Sequence, residues 1–341
     1  MFGYYLNLAV RSFKRNKALT VLMVLAIALG IGASMTTLTV FHVLSGDPIP
    51  EKSDRLFYVQ LDPENMQGYR PGEEPESQLT RFDAETLLAQ RRGVRQVMAS
   101  GGQAVITPEK AGATPELIDA RYASSDFFPM FDVPLKYGRG WTAAEDEGKA
   151  RVLVISKELN DKQFGSADST GKSLRIDGNE FRIIGVLGNW RLTPRFYDLY
   201  TDQYGKTEGV FLPFSTSRDL KMGTQGNTNC WGDSGGDSRS LTAPCAWVQY
   251  WVELESPAKA ADYRRYLMNY SDQQRKAGRF ERPSNVRLRN VMELMEFNKI
   301  VPGDVRLQLW LAFGFLLVCL VNTVGLLLAK FLRRSGEIGV R

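Results

Sequence analysis

Residues 18–44 read ALTVLMVLAIALGIGASMTTLTVFHVL, a run of 27 positions without a formal charge. Residues 307–329 read LQLWLAFGFLLVCLVNTVGLLLA and form a second uncharged run of 23 positions. A bilayer core about 30 Å thick needs roughly 20 apolar residues in a helix, so either run is long enough to span it. Because a buried helix of a soluble protein is seldom apolar on every side over such a length, we predict transmembrane helices at 18–44 and 307–329.

The alternative for residues 18–44 is a cleaved signal peptide. Signal peptides have a shorter apolar region, of about 7–15 residues, and here residues 1–17 precede the run. Both features argue for a membrane helix that is retained.

Lysines and arginines flank both predicted spans. They give a charge of +4 before the first span and +3 after the second, from Arg11, Lys14, Arg15 and Lys17, and from Lys330, Arg333, Arg334 and Arg341 with Glu337. By the positive-inside rule, both ends of the chain face the cytoplasm. The net charge of the whole chain is +5, so about −2 remains for residues 45–306, which form an external domain, periplasmic in a cell with two membranes. The pI of about 9.0 therefore reflects membrane topology, and we expect no nucleic-acid partner.

Two of the three cysteines, Cys230 and Cys245, lie in the predicted external domain, where oxidation is possible. The loop between them is rich in Gly, Ser, Thr and Asn, so it has little else to order it. We predict a disulfide, which would add about 3 kcal/mol by the chain-entropy estimate. The alternative is a pair of free buried thiols. Cys319 lies within the second span and is expected to be inert.

The stretch CWGDSGGD, residues 230–237, is similar to the nucleophile region of trypsin-like serine proteases. That chemistry needs a histidine as general base, and the single histidine of the chain, His42, lies in the predicted first span. Asp237 also stands where that family has proline. We therefore predict no catalytic residue here.

The stretch FGSADSTGKS, residues 164–173, differs from a nucleotide-binding P-loop. A P-loop has four residues between its first glycine and Gly-Lys-Ser/Thr, whereas five residues separate Gly165 from Gly171. The residues before it predict a short helix where a P-loop needs a strand. Those after it alternate as in a hairpin that turns at Asp177-Gly178. We predict no ATP site and no other cofactor, and one histidine with scattered cysteines cannot supply a usual metal cluster.

The segment before the first span, residues 1–17, places Phe2, Tyr5, Leu6, Ala9, Val10 and Phe13 on one helical face. Its basic residues fall mainly elsewhere, which is the pattern of an amphipathic helix in the cytoplasmic membrane interface. The alternative is a plain extension of the first membrane helix.

The external segment alternates between strand and helix patterns. DRLFYVQL (54–61) and AWVQYWVEL (246–254) predict strands, and RFDAETLLAQRR (81–92) predicts a helix. This mixture predicts an α+β fold, with two transmembrane helices that flank a large external domain of two α/β lobes, roughly 45–190 and 191–300.

Several short motifs occur in order along the external segment. They are Ser125-Asp126-Phe127-Phe128, Gly138-Arg139-Gly140-Trp141, VLVISKEL (152–159), Phe164-Gly165, GKSLRIDG (171–178) and FRIIGVL (181–187). Together they resemble the periplasmic domain of MacB/FtsX-type ABC transporter permeases, and Asn322 with FLRRSGEIGVR (331–341) looks like the segment at the second span of that family. The motifs at 125–128 and 138–140 are expected to be structural, the second as a turn with a paired arginine.

The resemblance implies a non-catalytic permease subunit in the inner membrane. Such permeases form dimers and pair with an ABC ATPase, whose closure they convert into motion of the external domain, a process called mechanotransmission. The expected cargo is an antibiotic, peptide or lipoprotein, with a periplasmic adaptor or substrate protein as a further partner. Because the family has four spans and this sequence contains two, we expect either a truncated record or a second half made separately.

The resemblance also implies roles for residues near the second span. Arg333, Arg334, Glu337 and Arg341, in the predicted cytoplasmic segment 330–341, would either contact the ATPase or anchor the helix in anionic lipid, and the resemblance favours coupling. Asn322 is polar at mid-membrane depth, so we expect it to face another helix, as an interhelical contact more than as an ion site.

A different class of function remains open. The chain could be a two-span receptor, or a scaffold that regulates a periplasmic partner such as a cell-wall hydrolase. Against a receptor, the sequence shows no cytoplasmic signalling domain after residue 329.

Overall fold

A computed structural model describes residues 17–107 and 114–338 of the chain. They form two compact units. One contains the chain up to Gly46 and from Lys299 onward, and the other contains Asp47–Asn298. The predicted amphipathic helix at 1–17 lies outside the described residues, apart from Lys17 itself.

Helices make up the first unit and border the sheet of the second. In chain order they are α1 (Lys17–Ser45), α2 (Arg81–Gln90), α3 (Phe127–Met130), α4 (Ala143–Glu147), α5 (Lys157–Phe164), α6 (Phe214–Asp219), α7 (Ala260–Lys276), α8 (Val291–Phe297) and α9 (Gly303–Ile338). Short 3-10 turns cover Phe196–Asp198 and Pro257–Lys259.

Two of these helices contain stretches long and apolar enough to cross a membrane, Val21–Ser45 in α1 and Gly303–Gly325 in α9. The predicted class is thereby confirmed: two candidate membrane helices stand on either side, in sequence, of a large α/β domain. The individual domain bounds stay predictions.

Among the described residues, four strands of the second unit have eight or more residues and nine are shorter. They are β1 (Leu56–Leu61), β2 (Leu79–Thr80), β3 (Arg95–Ile106), β4 (Glu116–Ala123), β5 (Leu135–Gly138), β6 (Val152–Ile155), β7 (Ser173–Ile176), β8 (Asn179–Leu187), β9 (Val210–Pro213), β10 (Thr224–Gln225), β11 (Asn229–Cys230), β12 (Cys245–Glu253) and β13 (Val286–Asn290).

The main path of the sheet has the order β13-β1-β12-β3-β4-β9-β6-β8-β5. The pairs β4–β9 and β6–β8 are parallel, and the other neighbours on the path are antiparallel. Strands from before and after residue 190 alternate along this path, because β12 and β13 pair with β1 and β9 lies between β4 and β6. The lobes proposed at 45–190 and 191–300 stay a prediction.

The hairpin predicted at Asp177-Gly178 is confirmed. β7 and β8 pair antiparallel with Ile176 opposite Asn179, so two residues form the turn. Both have positive φ, 48° at Asp177 and 77° at Gly178, as a type I′ turn requires. The hairpin stands where a P-loop would continue into a helix, so residues 164–173 are followed by a strand and not by a helix that could hold a phosphate.

The strand β12 lies at the centre of the fold, and all nine of its residues are buried. It pairs with β1 on one side and β3 on the other, and both faces are covered. Trp251 of β12 packs edge-on against Tyr58 of β1, with 5.2 Å between the ring centroids. Apolar side chains on both faces explain why this strand reads as a continuous run instead of an alternating one.

Candidate functional site

The helices α1 and α9 pack against each other along a regular seam. The buried or half-buried positions of α9 recur every three or four residues, at Val305, Leu309, Ala312, Leu316, Cys319 and Thr323. In α1 the same spacing marks Met23, Ile27, Gly30, Ser34, Thr37, Phe41 and Leu44. This alternation is the pattern of two helices that pack as in a left-handed coil.

The two helices approach each other closely at Gly30. A Cβ atom on Gly30 would lie 3.2 Å from Leu316 Cδ1 and 3.7 Å from Cys319 Sγ, which is tight for any side chain. One turn further, the hydroxyl of Ser34 donates to the carbonyl oxygen of Ala312 over 3.1 Å. Small residues in this seam therefore allow close approach of two backbones, as is common between membrane helices.

The predicted interhelical residue Asn322 is exposed on α9. Within the part of the chain that the structure describes, no hydrogen bond to its side chain is found. A partner helix would therefore have to come from elsewhere, and the predicted contact stays a prediction.

The helix α9 is long for a single membrane crossing. Its 36 residues extend over about 54 Å at 1.5 Å per residue, against a bilayer core of about 30 Å. Arg333, Arg334 and Glu337 lie in its last turns, where the structure describes the backbone. Arg341 lies outside the described residues. The helix therefore brings three of the four coupling candidates into one continuous element, and their role stays a prediction.

The cysteines of the external unit form a disulfide. Cys230 at the end of β11 is opposite Cys245 at the start of β12, with 2.09 Å between the sulfur atoms. It closes the loop 231–244, which contains Gly235 and Gly236 at positive φ. Cys319 is a buried free thiol in the helix seam.

An arginine attaches this loop to the sheet. The guanidinium of Arg239 lies 4.9 Å from the ring centroid of Trp247 in β12. It also donates to the hydroxyl oxygens of Thr224, over 2.5 Å, and Thr228, over 2.7 Å. The loop is therefore a packed part of the domain, ordered by the disulfide and by one stacked side chain.

A fully buried arginine, Arg121, lies in the middle of β4. Its guanidinium pairs with Asp198, donates to Glu208 Oε1 over 2.6 Å and 3.0 Å, and donates to Gln249 Oε1 over 2.9 Å. Burial alone would lower the pKa of Arg121, but the two carboxylates outweigh it and raise that pKa. The arginine is therefore charged and fully paired.

The same cluster attaches the segment 195–208 to the sheet. Glu208 also accepts a hydrogen bond from the Tyr197 hydroxyl, over 2.9 Å, and lies 3.2 Å from Arg195. Sequence reasoning missed this network. The available signal was an arginine inside an otherwise apolar strand end, ARYA, where an ionic group must be paired to be tolerated.

The motif residues Phe127 and Phe128 are buried in an aromatic cluster. Phe127 contacts Phe131, Trp190 and Tyr197, with ring centroids 5.1–6.2 Å apart. Phe128 packs on Trp141 at 4.8 Å. The structural role predicted for these residues is confirmed.

The Gly-Arg-Gly motif ends strand β5, where Gly138 pairs with Gly185, so the turn predicted there is not found, whereas the predicted pairing of Arg139 is. Gly138 has φ +68°, and a Cβ there would overlap the carbonyl oxygen of Ile184. Arg139 forms a bidentate pair with Glu145 over 2.7 Å and 2.8 Å. This hydrogen-bonded pair, with the backbone amide of Thr142, lowers the pKa of Glu145 to about 2. Among the described residues, no group of His, Cys, Asp and Glu side chains is arranged to hold a metal ion.

Comparisons with known proteins point to one family. A model of the MacB-like periplasmic core domain matches residues 20–270. The macrolide export ATP-binding/permease protein MacB of Rhodospirillum rubrum is 25% identical across this whole chain and 47% of its own length. The protein of the same name from Wolinella succinogenes is 27% identical across 54% of this chain and 28% of its own. The chain thus spans less than half the length of these curated relatives.

Among solved structures, the fold is similar to the periplasmic region of MacB from Actinobacillus actinomycetemcomitans. The match has a TM-score of 0.47 at 12% identity, over 75% of this chain and 97% of that one.

Proposed function

We propose that this chain, which belongs to the family of MacB-like periplasmic core domains and is of the ABC transporter permease type, is a membrane subunit. It transmits ATPase-driven motion to its external α/β domain. The chain itself carries out no chemistry. ATP is hydrolysed by an ABC ATPase subunit that associates with the chain. The subunit lies in the inner membrane, with both termini in the cytoplasm and Asp47–Asn298 in the periplasm.

The observation that carries this proposal is the close seam between α1 and α9. These helices precede and follow the external domain in sequence, and each contains a membrane-length apolar stretch. Parting them would break the hydrogen bond from Ser34 to Ala312 and open the contact at Gly30. A pair packed in this way moves more easily as one body than as two, which suits the transmission of a displacement.

The contact with the ATPase is proposed for the end of α9. From Lys330 to Ile338 this helix continues for about 13 Å beyond its uncharged run. Arg333, Arg334 and Glu337 lie on this extension, with Arg341 beyond it. Asn322 is proposed to contact a membrane helix of a second copy, in a dimer, because a polar side chain at this depth is costly in lipid.

The cargo is proposed to be a molecule exported or extracted from the membrane or periplasm. The names of both curated relatives state macrolide export. This supports an antibiotic ahead of a peptide or lipoprotein for the present chain.

The test uses the full-length protein, extracted in mild detergent. We expect an ABC ATPase to copurify, and its ATP turnover to change when the permease is present. Charge reversal at the proposed contact, Arg333→Glu with Arg334→Glu, should abolish that change. The matched control, Arg275→Glu with Lys276→Glu at the end of α7, should leave it intact.

Two results would overturn the proposal. One is that no ATPase copurifies while a periplasmic or signalling protein does, which is the outcome for a receptor or scaffold. The other is an ATPase whose turnover is the same with and without the permease.

A further inference from the structure

A cavity of about 880 Å³ lies within the external unit. Its walls are α2, the start of β3, residues Ser124–Asp126, α4 and α6. This volume is within the range of sites that take drug-sized ligands. Both apolar side chains, such as Leu88 and Met98, and charged ones reach the cavity.

Most of the charged side chains on the wall form ion pairs, either with one another or, for Arg95, with Glu253, which does not line the cavity. The ion pairs are Arg81–Glu85 at 2.6 Å, Lys149–Asp219 at 2.7 Å, Arg95–Glu253 at 2.7 Å and the exposed pair Arg91–Glu147 at 4.0 Å. Three charged residues of the wall have no ion pair within the described ranges: Asp126, Asp146 and Arg218.

Asp146 is the most informative of the three because it is buried, with 6% of its surface exposed. One carboxylate oxygen accepts the backbone N–H of Ser215 over 3.0 Å. The groups that face it include Glu147 on its own helix and Glu85 on α2, and both are acidic. The pKa of Asp146 is raised to about 6, mainly by burial. The nearby carboxylates of Glu147 and Glu85 also raise this pKa, whereas the hydrogen bonds from Ser215 lower it. An ion that is costly to bury is thus kept without a counter-ion.

The unpaired cation of the wall does not supply that counter-ion. The guanidinium of Arg218 donates to the carbonyl oxygen of Met222 over 2.7 Å and lies 5.2 Å from the ring centroid of Trp247. It forms no ion pair with Asp146 or Asp126 in the described structure. Asp126 accepts a hydrogen bond from the backbone N–H of Gln96 over 3.1 Å. Asp126 is also one of the residues that line the cavity.

We propose that this cavity binds an organic cation of drug-like size, whose protonated amine or guanidinium pairs with the carboxylate of Asp146. Asp126 supplies the second unpaired carboxylate of the wall, and Leu88 and Met98 contact the apolar part of the ligand. As a binding site the cavity stands by itself, and only its use for cargo rests on the proposed permease function.

The probe for the test is dansylcadaverine, a primary amine whose fluorescence rises on burial. Its N-acetyl derivative has nearly the same shape without the charge and serves as the neutral control. Each is titrated against the full-length protein in detergent, without ATPase or ATP, so that failure here is separate from failure of the transport proposal. We expect the amine to bind at least about tenfold more tightly than its neutral analogue, since only the amine forms the charged pair.

Asp146→Asn is the deciding variant, because the amide oxygen can still accept the Ser215 hydrogen bond. It should weaken amine binding about tenfold or more and leave the neutral analogue unaffected. In the unmodified chain, amine binding should fall as the pH drops through about 6, where Asp146 takes up a proton. In Asp146→Asn this dependence should disappear. The variant retains all the other charged groups of the cavity wall, which are Arg81, Glu85, Arg91, Arg95, Asp126, Glu147, Lys149, Arg218 and Asp219.

A control variant, Glu255→Gln, removes an acid of the external unit that does not line this cavity and should bind the amine as the unmodified chain does. Equal affinity for the amine and its neutral analogue would overturn the proposal, as would unchanged binding by Asp146→Asn or a lack of binding to the unmodified chain. Unfolding temperatures of each variant confirm that lost binding is not lost folding.

Discussion

At the scale of single residues, the external unit contains two kinds of buried charge. Arg121 is surrounded by acceptors from two separate parts of the chain, Asp198 and Glu208 of the segment 195–208 and Gln249 of β12, all bonded to one guanidinium. Asp146 has acids nearby and a single backbone donor. The first arrangement holds the sheet and the segment 195–208 together, whereas the second costs stability and is available to a ligand.

Arg121→Met should destabilise the domain strongly. The variant leaves Asp198 buried without its cation and Glu208 with Arg195 alone, and breaking a buried pair on one side costs about 3–5 kcal/mol. The matched control is Arg139→Met, which breaks the exposed pair with Glu145 and should cost less than about 1 kcal/mol. Denaturant unfolding of the full chain in detergent, followed by tryptophan fluorescence, measures both. Equal losses for the two variants would show that the network contributes no more than a surface pair.

Asp146→Asn should stabilise the protein in a pH-dependent way. The folded-state pKa of Asp146, about 6, lies above the ordinary value of 3.8, so the folded state takes up the proton more readily than the unfolded one. The carboxylate therefore destabilises the fold increasingly as the pH rises from about 4 to 6 and fully above that. We expect the variant to gain on the order of 1–3 kcal/mol at pH 7 and to gain nothing near pH 4. A gain that is the same at both pH values would contradict the burial of this charge.

Some residue-scale features follow directly from local sequence. Asp177-Gly178 between two alternating runs predicts its hairpin, because only residues tolerant of positive φ suit a two-residue turn. The pairing of Arg121 is different. Its partners are 77, 87 and 128 positions away along the chain, so no local pattern identifies them, and the same is true of the cavity around Asp146.

At the scale of elements, two features hold separate parts of the chain together. They are the packed helix pair α1–α9 and the loop closed by the disulfide. The length of the two uncharged runs in the sequence was sufficient to predict the helices. The seam between them was not predicted, since both helices are apolar on every side and only packing distinguishes Gly30 from Gly32. Gly30 is close to Leu316, and a Cβ at Gly32 would have open space.

Gly30→Leu should separate the two helices, because a Cβ there already lies 3.2 Å from Leu316 Cδ1. The measurement is disulfide cross-linking of Ser34→Cys with Ala312→Cys, in a chain that also carries Cys319→Ala. We expect the cross-link yield to fall severalfold with Gly30→Leu and to stay unchanged with Gly32→Leu. Efficient cross-linking in the Gly30→Leu chain would contradict the described seam.

Removal of the disulfide, by Cys230→Ala with Cys245→Ala, should lower the free energy of unfolding by about 3 kcal/mol. The loop 231–244 should also become more sensitive to protease, because it is then attached only by non-covalent contacts, such as Arg239 on Trp247 and the hydrogen bond from Asn65 to the Trp231 carbonyl oxygen. Cys319→Ala, away from this loop, is the control for thiol loss. A double variant as stable and protease-resistant as the unmodified chain would show that the loop is ordered by its packing alone.

At the scale of the whole molecule, the family and the two membrane-length helices agree on a permease. The α+β class and the membrane helices could be predicted from sequence, since hydrophobic length and strand–helix alternation are local properties. The order of strands could not, because neighbours such as β4 and β9 or β12 and β3 are far apart in the chain. The cargo and the coupling contact depend on partners, so they are proposals.

The central claim is that ATP hydrolysis by a partner moves the external domain. The most direct measurement places a spin label at Leu117→Cys, on an exposed position of β4, in the full-length protein with Cys319→Ala. The distance between the labels of two copies is then compared with and without ATP and vanadate, in the presence of the copurified ATPase. We expect a measurable distance between the labels of two copies, and we expect it to shift when the ATPase is trapped. A distribution that stays the same while ATP is hydrolysed, or the lack of any distance between copies, would contradict it.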